Sequence, residues 1–138
     1  MVKSRGAALP EYVEASLKVL EREAPVHFAA VKSRLGGLTA LIRVDDATPF
    51  RLDLASMPWV GSAAVGDVDV GLSPVDIESL LTGALTIEEA ITDDRLLVRG
   101  ELDHVLDFLD ALGAWLHGAI RAPSMPALSA KYLDSTTT

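Results

Sequence analysis

Apolar and polar positions alternate twice in the middle of this chain. In FRLDLA (50–55), Phe50, Leu52 and Leu54 fall on one side and Arg51 and Asp53 on the other. In DVDVGL (67–72), Val68, Val70 and Leu72 share a side. A period of two places alternate side chains on opposite faces of a strand. LTALIRVDD (38–46) reads as a third strand from its β-branched content, with Ala40, Ile42 and Val44 on one face. Between it and 50–55 lies DDATP (45–49), rich in turn formers. The two runs and their turn predict an antiparallel hairpin. RLLVRG (95–100) is a further short strand, and 56–66 is a loop, part of which can pair as an edge strand.

Elsewhere the period lengthens to that of a helix. Leu9, Val13, Leu17 and Leu20 recur at helical spacing over 9–25, with Pro10 suited to a first turn and Pro25 to a stop. Residues 26–37 read as a second short helix or an irregular stretch, ended by Gly36 and Gly37. Over 102–120, Val105, Leu106, Leu109, Leu112 and Leu116 form a stripe that Phe108 and Trp115 widen beyond one packing face. Residues 121–138 read as a proline-broken tail.

The stretch LSPVDIESLLTGALTIEEAITDDRLLVRGE (72–101) raises a question of its own: two short helices stand back to back around a glycine. Ser73 is a candidate N-cap with Pro74 at the first position and Asp76 three residues after the cap. Gly83 offers the left-handed turn that ends a helix. Thr86 and Glu89 have the spacing of a capping box. Each cap contributes about 1 kcal/mol, and Gly inside one continuous helix costs about 1 kcal/mol relative to Ala. The local terms agree on a break.

These elements predict one α/β (α+β) domain: a sheet of four or five strands, antiparallel or mixed, covered by helices. Its parts are N-terminal helices (1–37), an α/β core (38–120) and a C-terminal tail (121–138). A length of 138 residues suits one domain. The absence of cysteine excludes disulfides, thiolate metal sites and a catalytic thiol. No apolar run approaches the roughly 18 residues a membrane span needs, and the start lacks a signal-peptide core. A soluble cytoplasmic protein without stable membrane insertion is the expectation. The net charge is −8 and is unevenly placed: seven Lys/Arg stand against four Asp/Glu in 1–43, and five against sixteen in 44–138. Such a surface repels phosphate backbones, so nucleic acid is not an expected partner.

The ordered set LSPVD, LLTG, TIEEAI, RLLVRGE and HVLDFLDAL, within 68–112, resembles the sterol carrier protein-2 family. That family's pattern has a strand entering a Ser-capped helix, a helix ended by glycine, a short second helix, a small strand and a final helix. The hairpin at 38–55 also stands where the family places its first strands, so the likeness covers roughly 38–116. The chain departs from the pattern in its 56–66 loop, which carries Trp59, and in its proline-rich tail. Its end, DSTTT, is not the Ser-Lys-Leu-like address of peroxisomal members. The resemblance implies an apolar tunnel between sheet and helices that holds lipid-like molecules without catalysis.

The residues themselves are compatible with that. Inward positions are aliphatic, and only seven residues are aromatic. A guest burying about ten methylenes gains roughly 8 kcal/mol before association costs. The alternation nominates Leu52, Leu54, Val70, Leu81, Ile91, Val98, Leu106, Leu109 and Trp115 as lining, with Trp59 and Trp115 at a mouth, indole N–H toward water. Met125, Leu128, Tyr132 and Leu133 are candidates for a lid, with gating by the terminal helix and tail. A competing reading is a natural-product cyclase or isomerase using the same cavity. A carboxylate at an apolar edge, from Asp45, Asp53, Glu101, Asp103 or Asp107, or His104, is then the acid or base. A third reading is a protein–protein or homodimerisation module. Nothing calls for a cofactor or metal: His27, His104 and His117 lack ligand spacing, and VGSAAVG lacks the ending of a phosphate loop. No Gly-x-Ser-x-Gly nucleophile elbow is present.

Overall fold

The structure is a computed structural model that describes residues 5–45, 47–63 and 65–134. It opens with two helices, α1 (Arg5–Glu23) and α2 (Pro25–Leu35). The break between them follows from Pro25, which cannot donate a backbone hydrogen bond but fits a first helical turn, so it ends one helix and starts the next. Helix α1 begins before Pro10, which therefore lies inside the helix rather than in its first turn.

Five strands follow in a single sheet: β1 (Ala40–Val44), β2 (Phe50–Leu52), β3 (Val60–Ser62), β4 (Val68–Leu72) and, later, β5 (Leu97–Gly100). Their spatial order is β3-β2-β1-β4-β5. The β1–β2, β2–β3 and β4–β5 pairs are antiparallel, and β1 runs parallel to β4. The sheet is thus mixed, and the hairpin and the edge strand within 56–66 both form. Register places Leu52 opposite Ala40, Ile42 beside Val70, and Val70 opposite Val98. These side chains make one apolar face, with Ala40 and Val68 fully buried. The other face carries Arg43, Arg51, Asp69 and Arg99, and the Arg43 Nε donates to both Asp69 carboxylate oxygens at 2.9 and 3.0 Å. That second face is mostly wet, but Leu41 on it is buried, so burial does not alternate along β1.

Between β4 and β5 the chain forms α3 (Pro74–Thr82) and α4 (Ile87–Thr92). The Ser73 hydroxyl oxygen accepts from the Asp76 backbone N–H at 3.2 Å. Gly83 ends α3 at φ 79°, where a Cβ would be strained. Thr86 and Glu89 complete a reciprocal capping box at 3.0 and 3.1 Å.

After β5, helix α5 (Leu102–Arg121) returns across the domain and packs along α2. Gly118 permits the close crossing, since a Cβ there would lie 2.8 Å from both His27 and Leu20 side chains. The stretch that reads as a broken tail holds a sixth helix, α6 (Met125–Asp134), lying on α1. Its first turn is capped from afar: the Glu23 carboxylate accepts from the Ser124 backbone N–H at 2.8 Å and from its hydroxyl at 2.5 Å. None of the helices among the described residues is long and apolar enough to cross a membrane.

Candidate functional site

The apolar sheet face and the helices do not close on one another completely. A cavity of about 140 Å³ lies between them. Its floor is Ile42, Leu52, Val70 and Leu72 of the sheet, and α1 contributes Leu9, Tyr12, Val13 and Leu17. Val31 and Leu35 of α2 close one end, while Ile77, Leu80 and Leu81 of α3, with Leu96, form a side. The remaining wall is α5, through Phe108, Ala111, Leu112, Trp115 and Leu116. The gap follows from how α3 is held. Its connections to β4 and α4 are short and its backbone stays apart from α1 and α5, so Leu80 and Leu81 pack against the core while remaining half-buried.

Among the described residues, no charged side chain stands on this wall. Its two side-chain polar atoms are already satisfied. The Trp115 indole N–H donates to Ser16 Oγ at 3.0 Å, and the fully buried Ser16 hydroxyl donates onward to the Val13 carbonyl at 2.8 Å. The Tyr12 hydroxyl pairs with Ser129 Oγ at 2.7 Å. Burial pushes the Tyr12 pKa up, and the Ser129 bond opposes part of that rise. The Tyr12 ring stacks on Tyr132 at 4.6 Å and meets Trp115 edge-on at 6.2 Å. The cavity is therefore dry in character, with its polar groups turned into the helix seams.

Of the lining residues that the alternation nominates, Leu52, Val70, Leu81 and Trp115 stand on this wall. The Trp115 N–H points inward to Ser16 rather than to water. Trp59 is buried elsewhere, its ring 5.4 Å from that of Phe28. Leu54 is buried in the core away from the wall, and Val98 and Leu109 pack against that core half-buried. Ile91 and Leu106 are 40% and 49% exposed, because each lies on the side of its helix that faces solvent. The lid candidates Met125, Leu128, Tyr132 and Leu133 belong to α6, which the Glu23–Ser124 clamp and the Tyr12–Tyr132 stack fasten to α1. Sequence reasoning missed the contributions of α1 and α2 and those of Phe108 and Leu112. The stripe Leu9, Val13, Leu17 was visible, but nothing local said what it faced.

The acid–base candidates lie off the wall. Asp53 Oδ1 accepts from the Ala55 backbone N–H at 2.9 Å in a local turn. Asp107 faces Arg34 at 3.4 Å. Glu101 and Asp103 are exposed at the start of α5, and His104 is half-buried on it. Asp45 borders a second, charged depression, where Arg95 approaches Asp76 at 3.6 Å. Among the described residues no three His, Asp or Glu side chains gather as a metal site.

Neither a protein-family model nor a curated protein matches this chain in sequence. Solved structures do match in shape. The apo form of sterol carrier protein 2 from Yarrowia lipolytica superposes with a TM-score of 0.58 at 14% identity, covering 88% of this chain and 98% of that one. The sterol carrier protein domain 2 of Helicoverpa armigera gives a TM-score of 0.58 at 13% identity, covering 82% and 92%. The chain has the sterol carrier protein-2 fold.

Proposed function

We propose that this protein binds, noncovalently, the hydrocarbon part of a hydrophobic small molecule and passes it on. Fatty acyl, sterol-like and polyketide-like compounds are the class of guest. The observation that carries this reading is the cavity wall: every side chain on it is apolar or has its polar atom occupied elsewhere. Each methylene transferred from water to such a site gains about 0.8 kcal/mol. Among the described residues no cation on the wall can neutralise a carboxylate, so a charged head stays in water while the chain enters. The fold shared with sterol carrier proteins supports a carrier. Among the described residues the wall carries no carboxylate or imidazole, which favours binding over acid–base chemistry.

Displacement of a fluorescent fatty acid, together with native mass spectrometry of protein purified from cells, tests the reading. Wild-type protein is expected to bind the probe and to carry copurified lipid. Val70→Phe fills the centre of the cavity floor and is expected to lose probe binding while keeping a cooperative melt. Empty spectra and no probe binding by the wild type would end the proposal.

A further inference from the structure

Helix α5 has a second apolar side, exposed at its two ends and half-buried in the middle, that the described elements leave partly uncovered. Leu102, Leu106 and Ile120 are 70%, 49% and 79% exposed, and Leu109 and Leu116 between them are half-buried. Gly113 completes the row, and a Cβ added there would meet nothing within 4 Å. Positions 102, 106, 109, 113, 116 and 120 recur at the spacing of one helix face. The row spans about 27 Å at about 1.5 Å per residue. Leu116 belongs both to this row and to the cavity wall, so the stripe adjoins the cavity.

We propose that this stripe seats the molecule on an uncharged lipid surface, beside the cavity wall that Leu116 shares. The inference rests on the hydrophobic-ligand reading of the cavity and names the partner with which the guest is exchanged. A second copy of the chain is a poorer occupant. A stable protein interface buries about 800 Å² per partner, whereas a stripe about 27 Å long and about one helix wide offers on the order of 270 Å². A bilayer needs no matching surface, since each apolar side chain inserts independently. Charge selects the kind of lipid. Asp103, Asp110 and His117 border the stripe, Asp110 paired with Arg34 at 3.8 Å and Arg121 the cation at the far end, and the net charge is −8. Basic residues normally hold an interfacial helix to anionic lipid. Here that attraction is replaced by repulsion, so zwitterionic headgroups are favoured.

Cosedimentation of the full chain with phosphatidylcholine vesicles, with and without phosphatidylserine, is the test. Wild-type protein is expected to bind the zwitterionic vesicles and to bind less when phosphatidylserine is added. The Leu102→Gln/Ile120→Gln double variant, changed only at exposed positions, is expected to lose about tenfold in partition. Gly113→Leu, which widens the stripe into open space, is expected to gain. Probe displacement in solution should match wild type in the double variant, which separates failure of docking from failure of the cavity reading. Unchanged partition in either variant, or stronger binding to anionic vesicles, overturns the proposal. A dimer in sedimentation equilibrium that the double variant abolishes overturns it in favour of self-association.

Discussion

The Tyr12 side chain ties its own helix, α1, to two others. Its ring lies against Trp115 of α5 and Tyr132 of α6, and its hydroxyl reaches Ser129. Burial favours the neutral phenol, so the folded-state pKa stands above the ordinary value of 10.0. The sign follows by linkage: this stability is fully present below pH 10.0 and is lost as pH rises through the folded-state pKa. Tyr12→Phe keeps the ring contacts and removes one hydrogen bond from a half-buried partner. The expected cost is about 1 kcal/mol at neutral pH, read as a lowered urea midpoint with an unchanged slope. The variant should also show a flatter stability profile above pH 10.0 than wild type. A cost near zero at neutral pH would mean that the Ser129 contact contributes nothing to holding α6.

Legibility from sequence differed sharply between elements, and the range of their determining contacts explains it. The ends of α3 and α4 are set by Ser73, Gly83, Thr86 and Glu89, all within a few residues of the turns they cap. The sheet half of the cavity was legible in part: alternation fixed the face of Leu52 and Val70, but it also nominated Leu54 and Val98, which lie off the wall, and passed over Ile42 and Leu72. Helix α6 was not legible, because its cap comes from Glu23, 101 residues away in sequence. Nor could the stripe of α5 be divided, since Leu106 and Leu112 look alike until α2 and the sheet choose a side. The long-range cap yields its own prediction. Hydrogen bonds from the Ser124 side chain and backbone hold the Glu23 pKa below the ordinary carboxylate value of 4.5, with Arg22 a smaller contributor. Stability from a depressed carboxylate is present above pH 4.5 and is lost as pH falls through the folded-state value. The difference in melting temperature between wild type and Glu23→Gln should therefore be largest near neutrality and shrink as the solution is acidified below pH 4.5. A difference that grows on acidification would contradict the clamp.

Across the whole molecule the cavity is smaller than the guests its wall suits. A volume of about 140 Å³ is comparable to an engineered apolar cavity of about 150 Å³ that accepts benzene, and a long chain exceeds it. Entry must widen the space, and the elements differ in what they would lose by moving. Sheet strands β1 and β4 share a five-residue ladder, and α2 lies along α5 through an extensive contact. Helix α6 is fastened to α1 by the Glu23 clamp and by stacked tyrosines. The α3–α4 arm is capped at its own turns and its backbone lies apart from the other elements, so it keeps its helices when displaced and gives up chiefly the burial of Ile77, Leu85 and Ala90. Regions with few buried contacts open at the low end of the stability range. Hydrogen exchange resolved by element checks this. Without ligand, amides of α3 and α4 should exchange faster than those of β1, β4 and α6. Saturation with a fatty acyl ligand should slow α3 and α4 selectively, because the chain fills the space under Leu80 and Leu81. Protection gained first in α6 would shift the gate to the terminal helix and leave the arm as a fixed wall.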